Sequence, residues 1–150
     1  IEYLHVYHAG PVRLIPADAD LALEVRMLDR FFDNYVMTPQ GKFVFDALRP
    51  ADRRDPSGVE DARRMLDTSY AWLDRHLHGR TWAAGEIFTL ADCAAAPSLF
   101  YADWTHRIPG EYANVHAYRG RLLQRPSFAR AVDEARRFRH YFPLGAPDRD

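Results

Sequence analysis

The chain has 150 residues, 20 Lys+Arg against 21 Asp+Glu, a net charge of −1, 47% hydrophobic and 13% aromatic residues, and one cysteine. A single domain of this length buries roughly two-thirds of the surface that its unfolded form exposes, so its core needs neither disulfides nor a structural metal. The near-neutral balance gives no field strong enough to argue for nucleic acid or an anionic membrane as partner, no apolar run approaches the roughly 20 residues that span a bilayer, and the lone Cys93 favours an intracellular compartment over a secreted one.

The opening Ile1-Glu2-Tyr3-Leu4-His5 lacks the basic leader and apolar run of a signal peptide. Its first residue, Ile1 rather than Met, reads as the start of a segment within something longer. From Asp20 onward Leu21, Val25, Leu28, Phe32 and Tyr35/Val36 recur at helical spacing, with Glu24, Arg26, Arg30 and Asp33 opposite. Thr38-Pro39 is expected to kink or end this helix, and Gly41 to Leu48 to resume it. The proline-bracketed run Arg49 to Gly58 reads as an exposed loop. Val59, Ala62, Leu66, Tyr70, Leu73 and Leu77 mark the next helix, with Gly79 as its stop. Thr89-Leu90-Ala91-Asp92 fits a capping box, Phe88 and Cys93 a hydrophobic staple around it. The small apolar run from Cys93 to Tyr101 then predicts a buried central helix kinked near Pro97. Tyr112 to Leu123 and Pro126 to Arg139 make two more helices, followed by an irregular tail. No strand of period two and no repeat is visible, so the fold class is all-α, a bundle of about five or six helices.

Three landmarks carry a resemblance. The segment Trp82-Ala83-Ala84-Gly85-Glu86-Ile87-Phe88-Thr89-Leu90-Ala91-Asp92, followed by Pro97, resembles the cap-and-staple signature of the glutathione S-transferase C-terminal domain. Tyr112-Ala113-Asn114-Val115 and Leu122-Leu123-Gln124-Arg125-Pro126-Ser127-Phe128 are similar to that family's next two helices, in the same order. Ile1 to Leu4, with Pro16 and the helix from Ala22 to Val36, resembles the end of a preceding thioredoxin-like domain leading through a linker into the bundle. The resemblance therefore implies four parts: residues 1–7 as the end of a last thioredoxin-like helix, 8–18 as linker, 19–140 as the C-terminal helical domain and 141–150 as tail.

That family holds glutathione, its co-substrate, mainly in the thioredoxin-like domain, which also supplies the Tyr, Ser or Cys acting on the thiolate. The resemblance thus implies no catalytic residue in this chain. It implies instead a cytoplasmic homodimer conjugating glutathione to an electrophilic apolar substrate, with this domain supplying a pocket wall and part of the dimer interface. Asp29 aligns with an acid that reaches the partner's glutathione, the alternative being a surface acid paired with Arg26. Phe32, Tyr35, Val36, Tyr101 and Trp104 are the wall candidates against an alternative of plain core, while Thr89 and Asp92 read as a structural cap worth about 1 kcal/mol. Two other functions remain open: a non-enzymatic interaction module on the same bundle, and a glutathione-dependent reductase or isomerase. His5 with His8, and His76 with His78, lack a positioned carboxylate, so no metal is expected. Cys93 reads as a staple residue rather than a thiolate nucleophile, and the arginines between Arg119 and Arg139 as a solvated face.

Overall fold

A computed structural model describes residues 1–8 and 10–150. Its α-helices are α1 (Glu2–Tyr7), α2 (Ala19–Phe31), α3 (Thr38–Ala47), α4 (Pro56–His76), α5 (Leu90–Thr105), α6 (Ala113–Gln124) and α7 (Pro126–Ala135). Among the described residues the only β-type pairing is a bridge between Trp82 and Gly85, and no helix is long and apolar enough to cross a membrane. The fold is all-helical. Helices α2 and α3 run on as one rod, so the bundle is built from five rods, with α1 short and burying no residue.

The helix does not end at Thr38-Pro39. The turn from Phe32 to Met37 widens to π-helical, and the Thr38 amide donates to Asp33 O, with Thr38 Oγ1 adding a second bond at 2.8 Å. A proline inside a helix costs about 3 kcal/mol because one carbonyl loses its donor and the ring crowds another. Here the Tyr35 carbonyl, which an amide at position 39 would have served, accepts from Ser69 Oγ of α4 at 2.9 Å. A side chain on a neighbouring helix replaces the donor that Pro39 lacks.

Helix α4 begins three residues earlier than the apolar spacing suggests, because Asp55 caps it, accepting from Gly58 N at 2.9 Å, with Pro56 in the first turn. Helix α7 stops at Ala135, and the chain tightens into a 3₁₀ segment, Arg136–Tyr141. The core gathers around α5. Its small residues Ala91, Ala95 and Ala102, with Leu99, are fully enclosed and let Val25, Leu28, Phe32 and Val36 of the α2 rod, Leu66, Tyr70 and Leu73 of α4, and Tyr118 and Leu122 of α6 pack close.

Asp92 anchors α5 more deeply than a cap. Its carboxylate, 0% exposed, accepts from Thr89 N at 2.8 Å, Thr89 Oγ1 at 3.1 Å, Ala83 N at 2.9 Å and Tyr118 Oη at 2.6 Å. The capping box with Thr89 forms as the sequence implies. The Ala83 bond adds the tight turn from Trp82 to Gly85, where Gly85 takes φ +117, a left-handed conformation that only glycine adopts cheaply. The Tyr118 bond adds α6. Burial, and secondarily the Asp92 charge, push the Tyr118 hydroxyl pKa well up, so it stays a donor.

Candidate functional site

A groove of about 860 Å³ opens between the start of α3, the far half of α5 and the tail. Its walls are mostly apolar: Met37, Val44, Phe45, Tyr101 and Phe142, with Gln40 and Thr38 as neutral polar members. Lys42 and Arg49 stand at its edge already engaged, Lys42 with Asp55 and Arg49 at 3.9 Å from Asp46. A second cleft of about 380 Å³ lies between α5, α7 and the 3₁₀ segment, walled by Phe100, Trp104, Phe128, Val132 and Phe138. Tyr101 and Phe142 border both spaces. Their rings stack at 6.1 Å and 19°, and Trp104 meets both edge-on, at 5.7 Å from Tyr101 and 5.3 Å from Phe142.

The tail places Phe142 there through ion pairs. Arg149 donates to Asp103 Oδ2 at 3.2 Å and to Asp103 O at 2.7 Å, while Asp150 is bound by Arg136 and Arg139. Asp103 is itself buried, accepts from Ile108 N at 3.0 Å and lies 3.6 Å from Arg119. Arg139 lies over the Trp104 ring at 5.2 Å. The side of the Tyr101–Trp104 cluster away from the core is thus closed by residues late in the chain.

The wall candidates divide. Tyr101, 37% exposed, and the half-buried Trp104 come together at the two spaces. Phe32 and Val36 are fully buried in the core and line neither space, Phe32 packing on Tyr118 at 6.5 Å. Tyr35 sits elsewhere, stacked on Phe31 at 5.6 Å, and Phe31 packs on Trp72 of α4 at 4.5 Å. These rings continue a surface stripe in which Leu23, Met27 and Tyr35 of the α2 rod and Met65 of α4 are exposed. Asp29 is mostly covered and paired with Arg30 at 2.6 Å. Arg26, its expected partner, reaches instead to Glu2, at 2.6 Å and 3.0 Å.

Met37, Gln40, Val44, Phe45 and Phe142 were not among the candidates that the sequence suggests. One signal points to part of this set: Phe43, Val44 and Phe45 are consecutive, and a helix cannot bury all three on one side. Phe43 faces the core, and Phe45, 68% exposed, faces the groove. Phe142 left no local signal, because its place depends on Arg149 and Asp150.

Cys93 borders a smaller pocket with Phe88, Arg125 and Phe128. Burial, reinforced by the nearby Asp92 charge, pushes its thiol pKa up and disfavours a thiolate. Among the described residues no three His, Cys, Asp or Glu side chains come together to hold a metal. His76 is stacked on Trp72 at 4.7 Å and donates through Nε2 to Ala83 O at 2.8 Å.

The family described as "Glutathione S-transferase, C-terminal domain" matches residues 56–121, which hold α4, the Trp82–Gly85 turn, α5 and most of α6. A glutathione S-transferase-like protein of Fusarium, LUC7, is 31% identical over 100 residues, covering 65% of this chain and 45% of that protein. Two solved structures share the architecture. A glutathione S-transferase from Methylobacillus flagellatus with glutathione bound superposes with a TM-score of 0.76 at 26% identity, over 86% of this chain and 64% of that one. A glutathione S-transferase from Methylobacterium radiotolerans, in complex with glutathione sulfonate, gives 0.75 at 28% identity, over 87% and 62%. The chain spans less than half the length of the Fusarium relative and under two-thirds of each structure. In sequence signature over residues 56–121, in helix order and in three-dimensional fold, the chain is similar to the C-terminal helical domain of glutathione S-transferases.

Proposed function

We propose that this chain is the co-substrate-binding half of a glutathione-dependent transferase. The observation that carries the proposal is the apolar groove at Tyr101 in a domain whose solved relatives bind glutathione. In this reading residues 1–7 end a thioredoxin-like domain that holds glutathione and activates its thiol, 8–18 link the two domains, and 141–150 form the strap that sets Phe142. The thiolate attacks an electrophilic carbon, a carbon–sulfur bond forms, and the leaving group departs with its electron pair. The groove contributes orientation and dryness: Tyr101, Phe142, Met37 and Phe45 remove an apolar electrophile from water and hold it for attack. Trp104 braces Tyr101, while Phe32 and Val36 belong to the core rather than to the wall.

The stripe of Leu23, Met27, Tyr35 and Met65 fits a homodimer contact, since exposed apolar residues in a continuous row mark interaction surfaces. Asp29 lies on the same rod but about half a turn round from Met27, so in this reading it reaches a partner's glutathione amine only from the edge of that contact and after release from Arg30. The cytoplasm, where glutathione is abundant, suits this chemistry.

The test is turnover of glutathione with 1-chloro-2,4-dinitrobenzene by two proteins: these 150 residues alone, and the same residues joined to their thioredoxin-like partner domain. Turnover by the joined form and none by the 150 residues is the expected result. Turnover by the 150 residues alone would overturn the assignment of thiol activation to the other domain. A joined form that neither turns over nor is retained on immobilised glutathione would favour an interaction module.

A further inference from the structure

The groove has one polar member without an explanation in the fold. Gln40 is 7% exposed, yet its Oε1 is buried with no hydrogen-bond partner. Its Nε2 lies 3.1 Å from Met37 Sδ, and a thioether is a weak acceptor. Buried polar groups in folded proteins are almost always satisfied, and leaving one unmade is costly enough that each exception calls for a reason. The helix does not need Gln40: it sits inside α3, where methionine, an apolar residue of the same length, is an equally good helix former. Lys42 and Arg49, which also line the groove, carry donors only, so they do not duplicate the acceptor that Gln40 offers.

We infer that the Gln40 carboxamide sets the specificity of the groove, accepting a hydrogen bond from a hydroxyl or N–H donor on an otherwise apolar, aromatic-sized ligand. The inference rests on the reading of the groove as a co-substrate wall. Turning the carboxamide toward the groove breaks only the contact of Nε2 with the Met37 sulfur, so the oxygen becomes available at little cost. The surroundings raise the selectivity of such a bond. The other acceptors in the lining are few, the Tyr101 and Thr38 hydroxyls and the weak Met37 thioether, and a donor bound in an apolar setting without its partner pays for its lost hydration. A site that hydrogen-bonds a ligand group discriminates against the analogue lacking that group far better than an apolar pocket discriminates size.

The test compares 2-naphthol with 2-methoxynaphthalene, which keeps the ring system and the oxygen but has no donor. Each is titrated into isotopically labelled protein, and the Gly41 amide, whose residue lines the groove, reports the locus and the dissociation constant. The expected result is that 2-naphthol binds about 5- to 10-fold tighter, the effect of one hydrogen bond. Gln40→Met, which keeps length and volume, should bring the two ligands to parity chiefly by weakening 2-naphthol. Equal affinities in the unaltered protein, or an undiminished preference in Gln40→Met, would overturn the role of Gln40 while leaving the groove as a binding site. If neither ligand perturbs Gly41, the groove reading itself fails and the inference falls with it.

Discussion

Substitution of Tyr118 by phenylalanine tests whether Asp92 is a helix cap or the joint of the domain. A cap alone is worth about 1 kcal/mol and would not involve α6. In the structure the Tyr118 hydroxyl donates to Asp92 Oδ1 at 2.6 Å, and both residues are fully buried. A hydrogen bond to a charged group contributes about 1.5–3 kcal/mol. Tyr118→Phe keeps the ring in its packing against Phe32 and Trp82, so the loss should be about 2 kcal/mol, or about 4–8 °C in Tm for a chain of this size. Asp92→Ala strands the Ala83 and Thr89 amides together with the Tyr118 hydroxyl. At about 1–3 kcal/mol per stranded donor the cost is about 4 kcal/mol or more, a large part of the 5–15 kcal/mol typical of a domain. Urea unfolding of both single variants and the double variant closes a thermodynamic cycle, and the coupling between the two sites should exceed about 1 kcal/mol. A Tyr118→Phe cost below about 0.5 kcal/mol, with no coupling, would refute the joint and leave only a cap.

Other consequences are read in simpler assays. Burial holds the His76 pKa below its ordinary 6.5, so the unfolded chain takes up that proton first as pH falls. Stability from this group is therefore complete above about pH 6.5 and is lost as pH drops toward the folded value; denaturation between pH 5 and 8 should show this slope, and His76→Gln should flatten it. Alkylation of Cys93 by iodoacetamide at pH 7.5 should run slower than that of free cysteine, because burial raises its thiol pKa; an equal or faster rate would contradict that environment. Ser69→Ala removes the donor that Tyr35 O receives in place of the Pro39 amide, and should cost about 1–2 kcal/mol in thermal unfolding. That cost should shrink when Pro39 is also replaced by alanine, which restores an amide there.

What the chain discloses before folding is what is encoded locally. Thr89, Asp92 and the small residues after them specify a capped, buried α5 because the capping geometry and the space available to neighbours are both set within one turn. The consequence of Asp92 for the whole domain was hidden, since Ala83 and Tyr118 reach it from separate segments. Thr38-Pro39 misled for the same reason. The local rule for proline holds, and Ser69, thirty positions later in the chain, supplies what the rule says is missing. At the groove, helical spacing marks Phe32 and Val36 as apolar but does not distinguish a residue sealed in the core from one lining a surface. Tyr101 and Trp104 meet Phe142 from the tail, which Arg149 ties to Asp103, and that pairing spans 46 positions of the chain.

The most direct test of the central claim is steady-state conjugation of 1-chloro-2,4-dinitrobenzene by the two-domain protein carrying Tyr101→Ala. The KM for the electrophile should rise about 10-fold, the effect of losing about 1.4 kcal/mol of apolar contact, while the KM for glutathione stays within twofold. A rise in the glutathione KM with the electrophile KM unchanged would contradict the claim.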